Sequence, residues 1–148
     1  METGLAGPSG LAIASDGTLF IADSFNGRIR AVDPVTGLIR TVVGDGGEYR
    51  YQEPDEPPSS SLSRPSGIAL DEQGNLFFTD SDNHLVRRWD RTTGRIERIA
   101  GVGVAHYGGD ERAALEASLS YPFGIVLNRE GHLLVADTFN HRIREIAL

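Results

Sequence analysis

The chain has 148 residues, a length suited to one domain, and its 14 basic against 21 acidic residues leave a net charge of −7. That balance argues against a nucleic-acid partner, whose binding is driven by neutralising phosphates. It contains no cysteine, so disulfides, zinc–thiolate sites and thiol nucleophiles are excluded. No apolar run approaches the roughly 20 residues of a membrane helix, and the opening "METGLAGPSG" has neither the basic nor the apolar region of a secretory signal.

The 18 glycines, turn-rich stretches and scarcity of long 3.6-period apolar patterns favour an all-β chain. The first predicted strand, "GLAIA" (10–14), is almost continuously apolar, as suits a strand buried on both faces. "SDG" ends it with a glycine at a tight turn. "TLFIAD" (18–23) follows, then a turn holding Asp23 and Asn26, whose side chains can bond nearby backbone N–H groups. "RIRAVD" (28–33) alternates polar and apolar residues and is expected to face water on one side. After the turn "PVTG" comes "LIRTVVG" (38–44), the most polar and so the outermost strand. A connector, 45–63, separates this unit from a second set: "GIALD" (67–71), "NLFFTD" (75–80), "LVRRWD" (85–90) and "RIERIAG" (95–101). A second connector, 102–120, leads to "GIVLN" (124–128), "HLLVAD" (132–137) and "RIREIA" (142–147).

The units repeat at an interval of 57 residues without a gap. Pro8, Pro65 and Pro122 align, as do Asp23, Asp80 and Asp137; Asn26, Asn83 and Asn140; and Arg30, Arg87 and Arg144. Four antiparallel strands graded from apolar first to polar last describe a β-propeller blade, whose faces are buried by its neighbours. The expected organisation is a single propeller segment over 1–148. Blade one covers about 5–44, blade two about 64–101, and blade three, lacking its outer strand, 121–148.

The run P-x-G-[IL]-x(5)-G-x-L-x(3)-D-x(2)-N-x-[RL]-[IV]-R resembles the NHL repeat. The glycine-bearing connector "GVGVAHYGGDERAALEASLSYP" (101–122) is similar to a long-repeat subgroup common in bacterial proteins. The resemblance implies a ring that typically closes with six blades, so that three blades make half of one. A homodimer, or the remaining blades of a longer propeller, would close it. It slightly favours an extracellular or periplasmic setting for a soluble protein, without membrane insertion. NHL propellers include protein-binding platforms, RNA binders, kinase sensor domains, teneurin-like extracellular modules and amidating lyases, and a fold does not choose among these.

The residues give the following candidates. Three Asp–Asn pairs could offer oxygens to a cation, but identical residues in every repeat express a structural rule, and calcium wants six to eight oxygens converging on one point. Asp23, Asn26, Arg30, Asp80, Asn83, Arg87, Asp137, Asn140 and Arg144 therefore read as structural repeat positions, each Arg pairing with a carboxylate. His84 and His141 follow the turn Asn, where blade one has Gly27; His106 and His132 lie elsewhere. They lack a short two-His spacing, so no metal, cofactor or catalytic set is assigned. "DERAALEASL" (110–119) reads as a short helix capped by Asp110, and Trp89 as packing between blades. In a propeller the long connectors and the "SFNG", "SDNH" and "TFNH" turns share one rim. Phe25, Tyr49, Tyr51, His106, Tyr107, Tyr121 and Phe139 are the candidate partner surface there, for a protein or peptide. The expected function is a non-enzymatic scaffold. The alternatives are a propeller lyase or lactonase with a metal in its central channel, and an RNA-binding rim, which the net charge disfavours.

Overall fold

The computed structural model describes residues 4–47 and 61–148. Among them eleven strands form three antiparallel sheets, each a meander in sequence order. Blade one holds β1 (Pro8–Ile13), β2 (Leu19–Asp23), β3 (Arg28–Val32) and β4 (Ile39–Val43). Blade two holds β5 (Pro65–Leu70), β6 (Leu76–Asp80), β7 (Leu85–Trp89) and β8 (Ile96–Ala100). Blade three holds β9 (Pro122–Leu127), β10 (Leu133–Asp137) and β11 (Arg142–Ile146). The chain is an all-β assembly of propeller blades.

Side-chain alternation builds the core. In β6, Leu76 and Phe78 turn to blade one and share a core with its Phe20, Ala22, Ile29 and Val43, with Leu62 of the connector and with Ile68 of β5, and Trp89 packs against them. Phe77 turns the other way and joins Leu133, Val135, Leu119 and Ile146 against blade three. A sheet sandwiched between two others must be apolar on both faces, which is why "LFF" interrupts simple alternation. The first strands approach backbone to backbone. A Cβ on Gly10 would fall 2.1 Å from the Ser66 carbonyl oxygen, and one on Gly67 would fall 2.4 Å from that of Phe123. Glycine is required there by the close approach of neighbouring blades.

Three expectations are corrected. The first strands are not all buried on both faces: β5 nearly is, but Leu11, at 63% exposure, and Ile13 stand exposed on β1, as does Val126 on β9. Ala12 and Ile125 face blade two, so their neighbours in sequence face away from it, where no blade covers them. The third strands of blades one and two do not present a wet face: Ile29, Arg30 and Ala31, and Leu85, Val86 and Arg87, are buried. Their arginines alternate with apolar residues because each is paired inside, not because it meets water. The helix expected over 110–119 is one 3₁₀ turn, Ala114–Glu116, beginning after Ala113. Asp110 caps nothing; its carboxylate accepts from the Tyr107 hydroxyl at 2.7 Å and pairs with Arg144 at 2.8 Å.

Candidate functional site

The repeated turn builds one rim of the blades. Each second strand ends on an aspartate, and a 3₁₀ turn follows: Ser24–Asn26, Ser81–Asn83 and Thr138–Asn140. The next residue, Gly27, His84 or His141, adopts φ of 57°, 57° or 56°, a left-handed conformation that histidine enters more readily than most side chains. Each aspartate works in three directions. Asp23, Asp80 and Asp137 accept the backbone N–H of Ala6, Ser63 and Ser120 at 2.8, 2.7 and 2.7 Å. They accept the side-chain amides of Asn26, Asn83 and Asn140 at 2.8, 2.9 and 2.9 Å. They pair with Arg30, Arg87 and Arg144 at 3.4, 3.2 and 3.2 Å. The carboxylates are thus consumed in pinning the chain that enters each blade to the turn of the same blade.

Burial pushes the Asp80 carboxyl up to about 7, against the pull of its hydrogen bonds from Asn83 and the Ser63 N–H. The Arg87 guanidinium, itself fully buried, also favours the charged form.

The variable residues sit on this frame. The residues before the three prolines, Gly7, Arg64 and Tyr121, all have positive φ, at 57°, 55° and 48°. A glycine meets that demand without strain; Arg64 and Tyr121 meet it at a cost. Tyr121 lies 4.8 Å from the Phe139 ring and 4.5 Å edge-on from His84, whose Nδ1 accepts the Tyr121 N–H at 3.2 Å. Desolvation lowers the His84 pKa, opposed by the charges of Asp82 and Asp137. Phe123 approaches Phe139 at 6.4 Å, and Arg64 stacks over Phe123 at 5.1 Å and Tyr121 at 5.9 Å while pairing with Asp82 at 2.8 Å. On the far side Phe25 covers Gly7, where a Cβ would strike its ring. Between them runs an open groove of about 600 Å³, floored by the first strands at Ser9, Leu11, Ser66, Ile68 and Ile125 and bordered by Phe25, Arg64 and Phe123.

The structure therefore joins Tyr121 and Phe139, and sets Phe25 across a groove from their cluster. Tyr107 is elsewhere: Arg142 stacks on its ring at 4.2 Å, and Asp110 holds its hydroxyl and raises its pKa. His106 contributes backbone, its carbonyl accepting from Asn140 at 2.9 Å. Tyr49 and Tyr51 lie outside the described residues. Arg64 and Phe123 are residues that sequence reasoning missed. Their signal was broken symmetry: Gly7, Arg64 and Tyr121 differ at one repeat position, and Phe123 stands where the other blades have Ser9 and Ser66. Glu130, His132 and Glu145, on the β9–β10 turn and β11, also come together, with one donor atom of each within 4.8 Å of the others.

No helix among the described residues is long and apolar enough to cross a membrane. The NHL repeat model matches residues 62–89 and 119–146. Protein SUPPRESSOR OF QUENCHING 1, chloroplastic, of Arabidopsis thaliana is 35% identical over 154 residues, covering 99% of this chain and 14% of that protein. NHL repeat-containing protein 2 of Homo sapiens is 31% identical over 157 residues, covering 99% of this chain and 22% of that protein. The chain thus spans less than a quarter of the length of these relatives. Among solved structures, a protein of unknown function from Bacteroides thetaiotaomicron superposes with a TM-score of 0.81 at 24% identity, covering 98% of this chain and 36% of the other. A virginiamycin B lyase from Staphylococcus aureus superposes at 0.59 and 20% identity, covering 100% and 43%. The fold thus occurs both in relatives known by their repeats and in an enzyme. Two units matched by the repeat model, a third in register with them and this likeness of fold lead to one statement: the chain is built of NHL repeats folded as β-propeller blades.

Proposed function

We propose that this chain is part of a non-enzymatic NHL-propeller scaffold that binds a protein or peptide segment through its connector-bearing rim. One observation carries the reading. Phe25, at 73% exposure, borders a groove in which Arg64 is stacked on Phe123, and Phe139, at 58% exposure, packs against the Phe123 ring. Exposed aromatics beside an arginine are the residues that most often supply binding energy at interfaces. Phe139 is braced by Tyr121 and Phe123, so little side-chain freedom remains to be lost on binding. The groove floor offers Ser, Gly, Leu and Ile, which suits a segment held by apolar contact and backbone hydrogen bonds better than it suits acid–base chemistry.

The same reading includes assembly. Leu11 and Ile13 on blade one, and Val126 and Ile143 on blade three, are exposed apolar residues on the faces turned away from blade two. A second copy of the chain, covering both faces, would close a ring by two-fold symmetry.

The test is selection of binders from a displayed library of random dodecapeptides, repeated with Phe25→Ala and Phe139→Ala. Because both rings are exposed, the variants are expected to keep the parent's unfolding midpoint and to lose the selected peptides. Selection of nothing by the parent chain, or retention of the peptides by both variants, would overturn the reading.

A further inference from the structure

On blade three the repeat symmetry breaks at several positions together. The β9–β10 turn and β11 carry Asn128, Glu130, His132 and Glu145; blade one has Ala14, Asp16, Thr18 and Ala31 at these places, and blade two has Asp71, Gln73, Asn75 and Arg88. In blade two the corresponding residues close on themselves: Asn75 is buried, donates to Asp71 at 2.8 Å and accepts the Arg91 N–H at 3.0 Å. In blade three His132 instead turns to Glu145, Nδ1 to Oε1 at 2.9 Å, and one donor atom each from Glu130, His132 and Glu145 lie within 4.8 Å of one another.

The supports are built in. Asn128 Oδ1 accepts the backbone N–H of Glu130 and of His132, both at 2.9 Å, which fixes the turn that carries two of the donors. Asn128 Nδ2 donates to Glu145 Oε1 at 3.4 Å, which orients the third. Such outer partners are what hold ligands in a binding arrangement. Glu145 faces Leu134 across the β10–β11 ladder, so the two strands bring together residues thirteen apart in the chain.

We propose that Glu130, His132 and Glu145 form a binding site for a divalent transition-metal ion. Zinc is bound by imidazole nitrogen and by Asp or Glu oxygen, both of which this group offers. Calcium and magnesium prefer oxygen alone and more ligands than this group supplies. Three protein donors leave the rest of the coordination shell to water or to a group brought by a partner. The residues flank the free face of blade three, on which Ile143 and Val126 also stand exposed, so a second copy or a further blade could contribute there. The site does not depend on the peptide-binding reading.

The experiment uses the full chain, stripped with chelator and titrated with Zn²⁺ alone by calorimetry. The imidazole resonances of all four histidines are followed by NMR in parallel. One equivalent is expected to bind, with His132 the ring that shifts. His132→Ala and Glu145→Gln are expected to weaken binding by at least tenfold, the lower end of what loss of even an outer partner costs. Should His132→Ala fail to fold, Glu130→Gln serves instead, since no hydrogen bond of its side chain holds the turn. Absence of binding, binding unchanged in the variants, shifts confined to His84, His106 or His141, or displacement of Zn²⁺ by an equal concentration of Ca²⁺ would each overturn the proposal.

Discussion

Ser81 Oγ donates to the carbonyl oxygen of Pro122 at 2.6 Å, and Ser24 Oγ does the same to Pro65 at 2.7 Å. The bond crosses from the turn of one blade to the first strand of the next, between buried groups. Thr138, the third residue of this kind, instead bonds Ala136 in its own strand at 3.2 Å. Replacing Ser81 by alanine leaves a buried carbonyl short of a donor, so Ser81→Ala is expected to cost about 1–3 kcal/mol in urea unfolding. Thr138→Ala is expected to cost less. Equal costs would show that the bond between blades contributes nothing special.

The aligned glycines predict unequal outcomes from identical substitutions. Gly67→Ala drives a methyl into the Phe123 carbonyl and is expected to cost about 1–3 kcal/mol or more. At Gly124 the nearest atom to an added Cβ is that of Ala136, at 3.4 Å, an ordinary contact, so Gly124→Ala should be tolerated by the chain alone. In a closed ring another blade would lie against Gly124, and the same change should then disrupt assembly. Light scattering on an eluting peak decides which case holds. About twice the 16.0 kDa chain mass, falling to one chain mass in Gly124→Ala, is the expected result for a two-copy ring. A folded monomer at all concentrations would sink that part of the proposal.

Arg87→Met removes the cation beside the buried Asp80 and leaves its bonds from Ser63 and Asn83. Loss of one partner of a buried pair costs about 3–5 kcal/mol when the other stays charged. Burial already pushes Asp80 up to about 7, well above the 3.8 of a free aspartate, and removal of the guanidinium can only push it further. Between those values the folded variant binds a proton that the unfolded chain does not, so its stability falls as pH rises. The parent's Asp80 holds the same proton below about pH 7, so the variant's deficit relative to the parent should be constant from pH 5 to 7 and grow as pH rises above 7. A pH-independent difference in unfolding free energy would contradict this.

His84 has the opposite sign. Its folded pKa lies below the ordinary 6.5 because its ring is desolvated, and its Nδ1 accepts the Tyr121 N–H only when unprotonated. The contribution is fully present above 6.5 and is lost as pH falls through the folded value. The Tyr121 amide resonance should hold steady above that point and move on acidification. In His84→Asn, a residue that also tolerates positive φ, the shift should vanish. Persistence of the shift would place its origin elsewhere.

The strand pattern and the recurrence of Asp, Asn and Arg were legible in the sequence because each is a local rule written again at a fixed interval. A turn needs its aspartate wherever it occurs, so the residue recurs. Burial was less legible. "GLAIA" and "GIALD" look alike, yet Leu11 is exposed and Ile68 buried, because burial depends on whether a neighbouring blade covers the strand and not on the strand itself. The groove between Phe25 and Phe123 and the Glu130–His132–Glu145 group were hidden for the same reason. Phe25 and Phe123, or His132 and Glu145, belong to different elements of the fold, and only the packing of blades and the register of β10 on β11 bring them together. The sequence by itself determined what each blade is; the tertiary structure decided which faces are covered and which side chains meet.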